Sequence, residues 1–274
     1  GGARAVDPES ALADVAEIRA AGSDLVLVHG GSTKVDETLE RLGIDPEYVE
    51  TPDGVVGRFT DAETMEAFTM AMSAINTELV AGLQGEGVDA VGLSGVDGTL
   101  LHGPRKSAVR VVEDGTRKIR RGDHSGTIKS VNRDLLRTLL DAGQVPVVGP
   151  PMAGADDGAI TPVNTDADRS AAAIAATLGA RLVLLTDVAG VYADPDDPDT
   201  LIDAVETPAG MADLEAAAEG FMRRKVMAAT EALEGGAIEV IVTDANADAP
   251  ASAAIEGDGT HVFPGAIETA EETA

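Results

Sequence analysis

Five short runs rich in valine and leucine punctuate the 274-residue chain, at positions 25–28, 90–93, 145–148, 181–185 and 239–242. Each is short and apolar on both faces, so each reads as a strand covered from both sides. Between them lie helical patterns at 9–20, 34–42, 61–83, 130–141, 166–178, 211–219 and 222–234. Several stop at a glycine (Gly22, Gly43, Gly143, Gly179, Gly235), as helix C-termini often do. Parallel neighbours need a crossover, usually a helix, so this alternation commits the chain to an α/β fold with a mostly parallel sheet. One stretch departs from it. Residues 109–112 and 116–121 flank Glu113-Asp114-Gly115, which predicts a β-hairpin. There is no repeat and no low-complexity linker, and the acidic tail from Ile267 onward is expected to fray.

Composition decides which chemistries remain. An apolar content of 44% supports a substantial core, and no stretch approaches the roughly 20 apolar residues that span a bilayer. The absence of cysteine excludes disulfides, thiolate metal sites and cysteine nucleophiles. Four scattered histidines (29, 102, 124, 261) argue against a histidine metal cage. The opening Gly-Gly-Ala-Arg is not a signal-peptide pattern, so a cytoplasmic protein is expected. Forty-eight acidic residues against 20 basic ones give a net charge of −28, and only 5 of the bases are lysine. A folded chain of this mass exposes roughly 11,000 Å², about one net negative charge per 400 Å². Such repulsion is screened near 1 M salt, where the Debye length is about 3 Å, so a salt-adapted protein is expected rather than an acidic disordered one. General nucleic-acid binding is disfavoured by the same charge.

Five segments could carry chemistry. His29-Gly30-Gly31-Ser32 ends a strand and opens a helix, where glycines admit a close ligand and free N–H groups face an anion. A merely tight turn would look the same. Gly57-Arg58-Phe59-Thr60-Asp61 offers an arginine fork for a carboxylate or phosphate, with Thr60 or Asp61 as a helix cap; a surface ion pair is the plain alternative. The segment 162–169, with Asn164-Thr165-Asp166-Ala167-Asp168 at its centre, opens an alanine-rich helix with a run of polar side chains, which caps alone would explain. Thr186-Asp187 through Tyr192 leaves a strand at its C-terminal end, where open α/β sheets bind ligands. Arg223-Arg224-Lys225 places three bases at a helix start, against the helix dipole, so an anion is expected nearby. No GxxxxGK[ST], GxGxxG or GxSxG motif is present.

In this order the five segments resemble the amino-acid kinase family, especially its acetylglutamate-kinase branch, over nearly the whole chain. Within that branch the chain is most similar to kinases acting on glutamate or aminoadipate bound to a LysW-type carrier protein. The residues that carry this likeness are His29-Gly30-Gly31-Ser32, Ser94-Gly95-Val96-Asp97-Gly98 leading to Gly103-Pro104-Arg105-Lys106, Pro150-Pro151, Asp166-Ala167-Asp168-Arg169 and Met222-Arg223-Arg224-Lys225. The salt-adapted composition fits a haloarchaeal member. The resemblance implies a three-layer αβα sandwich with an open, mostly parallel sheet. Residues 1–176 would form the amino-acid-substrate and dimerisation lobe and 177–274 the nucleotide lobe of a homodimer. It implies transfer of the γ-phosphoryl group of ATP, with Mg²⁺, to a side-chain carboxylate. Gly30, Gly31 and Ser32 would hold phosphoryl oxygens, and Arg58 and Asn164 the amino-acid substrate. Gly2, Thr186, Asp187 and Tyr192 would lie at the nucleotide. Lys225 would stabilise the transferring charge and Asp166 would orient the lysines.

Two departures are visible. The family opens with a strand bearing Lys-x-Gly-Gly, whereas this sequence begins at the Gly-Gly, so that strand and its lysine are expected to be missing. Ser125-Gly126-Thr127 stands where relatives often carry Thr-Gly-Lys. An N-acetylglutamate kinase and a catalytically dead regulatory relative stay open beside the leading reading. The hairpin adds one feature of this chain's own. The window from Arg105 to Arg121 holds seven bases against Glu113 and Asp114, a net +5 in a chain that is otherwise acidic throughout. It is either a solvated charged face or the dock for an acidic amino-group carrier protein that brings the substrate to Arg58 and Asn164.

Overall fold

The computed structural model describes residues 8–267, apart from 53, 55 and 114. Gly2 and the acidic tail beyond Ile267 lie outside these residues. Helix α1 (Pro8–Ala20), strand β1 (Leu27–Val28) and helix α2 (Ser32–Leu42) come first, then β2 (Tyr48–Glu50), β3 (Val56–Arg58) and the long α3 (Ala62–Gly85). Next are β4 (Ala90–Gly95), β5 (Leu101–Glu113), β6 (Thr116–Gly126), β7 (Ser130–Val131), α4 (Arg133–Asp141), β8 (Val145–Asp156) and β9 (Ala159–Val163). The second half holds α5 (Ala167–Leu178), β10 (Arg181–Thr186), β11 (Ala204–Val205), α6 (Pro208–Ala217) and α7 (Gly220–Glu234). It closes with β12 (Glu239–Asp244), α8 (Pro250–Glu256) and β13 (Thr260–Val262).

Strand β8 organises the first half. Its opening residues lie between β1 and β4, both parallel to it, with Val147 opposite Leu27 and Val145 opposite Ala90. Beyond Gly149 it changes partners, pairing β5 in parallel through His102–Pro104 and β9 in antiparallel. Residues 145–154 of β8 are all buried, which is why this run reads as unbroken apolar sequence. The second sheet runs β10-β12-β13-β11, with β10 and β12 parallel and β13 antiparallel to β12. Helices cover both sheets, and α5 packs on β1, β8, β10 and α7, so it touches both halves. The core of the second half joins Leu182, Leu184, Leu214, Val226, Val240 and Val242. The fold is thus the expected α/β sandwich, with a mixed rather than purely parallel pairing pattern.

The hairpin is longer than its apolar alternation predicts, because β5 and β6 continue to Leu101 and Gly126, where they join the sheet through β7 and β8. Helix α4 starts at Arg133 instead of 130 because Asn132 caps it, accepting from Leu135 N at 3.1 Å. Side-chain hydrogen bonds add to the packing of α5 in tying the halves together. Asp14 of α1 accepts from Ala251 N (2.6 Å), Ser252 N (3.1 Å) and Ser252 Oγ at the start of α8. Arg224 of α7 donates to the carbonyl of Val56 in β3.

Candidate active site

The glycine turn is where the two halves meet. Strand β1 ends as His29 N donates to Val148 O at 3.0 Å, and Gly31 then serves as N-cap of α2. Among the described residues, no group accepts from the N–H of Gly30, Gly31 or Ser32, so the turn presents free donors at a helix N-terminus. Both glycines sit in close packing, tightest at Gly31. A Cβ on Gly31 would sit 2.2 Å from Ile75 Cδ1 of α3, and one on Gly30 would sit 3.3 Å from Ala167 Cβ of α5. The turn is therefore wedged between α3 and the start of α5.

Arg58 stands beside that turn. Its guanidinium donates to Asp36 of α2, to Ser32 O at 3.1 Å and to Tyr48 Oη at 2.9 Å, and its side chain is only 6% exposed. Tyr48 donates in turn to Asp36 Oδ2 at 2.9 Å. Partial desolvation and the Asp36 contact raise the Tyr48 pKa, so it stays a neutral donor. A buried arginine needs such a partner, and the pair fixes the fork against the glycine turn.

Asn164 reaches the same wall from the other side. Its amide donates to Thr60 Oγ1 at 3.0 Å, while Asn164 N donates to His124 O at 2.7 Å and Gly126 N to Asn164 O at 2.9 Å. Behind them lies Asp123, only 2% exposed, accepting from Thr60 N at 3.3 Å and from Ser125 Oγ. Asp61 caps α3 by accepting from Thr64 N at 2.8 Å, which holds its carboxyl below the usual range. His124 is held below its ordinary value by burial and by Arg105.

The start of α5 divides its carboxylates between two tasks. Asp166 is the N-cap, accepting from Arg169 N at 3.0 Å. Asp168 is the residue that bonds Lys225 Nζ, at 3.1 and 3.3 Å to its two oxygens. Asp166, expected to orient the lysines, caps α5 through one carboxylate oxygen, and the direct contact to Lys225 is made by Asp168. Lys225 is 10% exposed in its side chain and lies on α7, packed against α5. Thr186, Asp187 and Tyr192 follow the C-terminal end of β10, where Thr186 Oγ1 donates to Asp187 at 3.2 Å and Tyr192 bridges Leu201. Among the described residues, no hydrogen bond or ion pair joins them to Lys225 or to the glycine turn. Asp36, Tyr48, Asp123 and Asp168 were not singled out from sequence. Only Asp168 had a readable signal, as the next carboxylate after a cap.

The basic hairpin has two different faces. Arg120 pairs with Glu47 and lies 4.3 Å over the Phe59 ring, and Arg105 pairs with Asp156 at 2.5 Å. Register places Arg110 opposite Ile119, Arg117 opposite Val112 and Arg121 opposite Ala108, so these three arginines share one side of the ribbon. All three are exposed, and Ile119 among them is 64% exposed. Among the described residues, no group of three or more His, Asp or Glu is placed to hold a metal ion. No helix among them is long and apolar enough to cross a membrane.

Comparison with known proteins agrees with this geometry. The profile of the amino acid kinase family matches residues 1–244. The LysW-aminoadipate kinase of Thermus thermophilus is 42% identical over 269 residues, 96% of this chain and 97% of that protein. The acetylglutamate kinase of Methanopyrus kandleri is 43% identical over 243 residues, 87% of this chain and 91% of that one. Among solved structures, carbamate kinase from Giardia lamblia bound to AMP-PNP shares the fold with a TM-score of 0.66 at 18% identity, over 93% of this chain and 89% of that one. With the family profile covering most of its length and relatives of more than 40% identity over nearly all of it, this chain belongs to the amino acid kinase family.

Proposed function

We propose that the protein transfers the γ-phosphoryl group of ATP to the side-chain carboxylate of glutamate or 2-aminoadipate carried on an acidic LysW-type protein. The observation that carries this reading is one junction: the glycine turn, with N–H groups that have no acceptor among the described residues, packs at Gly30 against Ala167 at the start of α5, whose Asp168 holds the buried Lys225. The names of the relatives support the carrier and the acceptor. The substrate carboxylate oxygen attacks the γ-phosphorus, the bond to the β-bridging oxygen breaks, and ADP leaves with that electron pair. No proton moves, so positioning and charge stabilisation suffice. Gly30, Gly31 and Ser32 donate to phosphoryl oxygens, Lys225 meets the charge on the donor side, and Arg58 with Asn164 orients the amino acid. Gly2, Thr186, Asp187 and Tyr192 are the residues proposed for the nucleotide, with Mg²⁺ as its counter-ion.

The chain is read as a cytoplasmic, salt-adapted homodimer, with lobes at 1–176 and 177–274. The outer hairpin face of Arg110, Arg117 and Arg121 is the proposed dock for the carrier. At high salt, close bidentate arginine contacts outlast long-range steering. The test traps the acyl phosphate with hydroxylamine, comparing carrier-linked glutamate, carrier-linked aminoadipate and N-acetylglutamate in 2–3 M salt. Turnover of a carrier-linked substrate at a kcat/KM at least tenfold above N-acetylglutamate is expected. The reverse order would assign the free acetylated amino acid instead.

A further inference from the structure

Beneath the glycine turn, the sheet is cut away to admit two side chains. His29 ends β1 and is 7% exposed, and Asn76 reaches it from α3. A Cβ on Gly149 of β8 would lie 2.4 Å from His29 Nε2, and one on Gly92 of β4 would lie 2.1 Å from Asn76 Oδ1. Neither glycine has a positive φ, so both are required by proximity rather than by backbone shape. A cavity of about 320 Å³ opens onto the pair, lined also by Ser73, Thr77, Ser94 and Asp97.

The hydrogen bonds assign one tautomer. Asn76 Nδ2 donates to Val147 O at 2.9 Å and lies 3.0 Å from His29 Nε2, so Nε2 is the acceptor. Nδ1 then carries the proton and donates to Gly30 O at 3.1 Å. That carbonyl belongs to the Gly30–Gly31 peptide, in which C=O and N–H point in opposite directions across one plane. Anchoring the carbonyl towards His29 therefore turns the Gly31 N–H to the other side of the turn. Burial keeps the imidazole uncharged by lowering its pKa. A proton on Nε2 would face an amide donor.

We propose that His29, backed by Asn76, is a positioning residue for phosphoryl transfer, which fixes the Gly30–Gly31 peptide so that Gly31 N–H faces the moving phosphoryl group. The inference rests on the kinase reading above, and its test separates the two. An asparagine at 29 restores a donor where Nδ1 stood, whereas a glutamine restores polar contact only where Nε2 stood. His29→Ala and His29→Gln should lose roughly 10- to 100-fold in kcat, part of the 10²–10³ that one oxyanion donor is typically worth. KM for ATP and for the amino-acid substrate should stay within about threefold, because ground-state binding keeps its other contacts. His29→Asn should stay within about fivefold of wild type.

Equal losses in His29→Asn and His29→Gln overturn the proposal, as does a loss confined to KM. Should the alanine variant not fold, the asparagine–glutamine comparison decides at matched melting temperature. Histidine-selective ¹⁵N NMR of the wild-type protein gives a readout that needs no turnover. A Nδ1–H signal for residue 29 from pH 6.5 to 8 is expected, and a Nε2–H signal overturns the inference whatever the enzyme's substrate. Absence of any carboxylate phosphorylation by wild type would instead refute the kinase reading.

Discussion

Lys225→Ala is the sharpest test of the site, because the structure separates its catalytic from its structural cost. The ammonium is buried against Asp168, at 3.1 and 3.3 Å, on the seam between α5 and α7. If it meets charge on the phosphoryl group in flight, losing it should cost about 2.7–4 kcal/mol of barrier, or 10²–10³ in kcat. Breaking a fully buried ion pair costs about 3–5 kcal/mol of stability, since the surviving charge is stranded. Asp168 is less confined, with 22% of its side chain exposed, so water can reach the bared carboxylate. The stability cost should then be about 1–2 kcal/mol, a fall in melting temperature of roughly 2–8 °C for a chain of this size. Assayed at 25 °C in high salt, the variant is still folded, and the deficit reads as chemistry. Calorimetry and the hydroxylamine assay on one preparation give both numbers. Lys225→Arg should be nearly as poor, because a planar fork does not replace a compact charge. A variant keeping more than a tenth of wild-type kcat would refute the role given to Lys225.

Arg58→Ala should raise KM for the amino-acid substrate at least tenfold while leaving KM for ATP within about twofold, since a charge-assisted pair is worth about 1.5–3 kcal/mol; steady-state kinetics with each substrate varied checks this. Reversing Arg110, Arg117 and Arg121 to glutamate should cut carrier-linked kcat/KM at least tenfold, about 1.4 kcal/mol, with no change in ATP binding by calorimetry. Arg120 is left intact there because it pairs with Glu47 inside the substrate half. Asp61→Ala should cost about 1 kcal/mol near neutral pH through loss of the α3 cap. Thr64 N–H holds the Asp61 carboxyl below its ordinary 3.8, so its stabilisation is present above that value and is lost as pH falls through the lower folded one. The gap in denaturant midpoint between wild type and variant should therefore shrink steadily as pH falls below 3.8, and a gap that does not shrink would reject the cap.

The strands that organise the sheets were legible because burial on both faces leaves runs such as 145–148 with nothing but apolar or small residues. β2 and β3 were not: each is three residues long, too short for an alternation to form. The same length bias hid β7, β11 and α8. Among site residues, the glycine turn, Arg58, Asn164 and Lys225 stood out through glycine pairs, lone arginines and bases at a helix start. The partners that hold them did not. Asp36 lies inside an ordinary acidic helix face, and Asp123 follows the run of bases within β6, so only tertiary contact singles out either from the other acidic residues. His29 was read only as part of its turn, since nothing in sequence brings Asn76 beneath it from 47 positions away.

Gly30 has a mechanical consequence beyond its donors. The turn after β1 touches the first residue of α5 there, where a Cβ would lie 3.3 Å from Ala167 Cβ. A methyl group at that point would act as a shim, shifting the turn against α5 by a few tenths of an ångström. Reacting atoms must start about 3–3.5 Å apart, and a 1 Å misplacement can cost a hundredfold in rate. The absent side chain thus sets how closely the turn and α5 approach, much as a feeler gauge sets the clearance between two machined faces. Ala167 is the matching face on the far side, small and held at the capped start of α5.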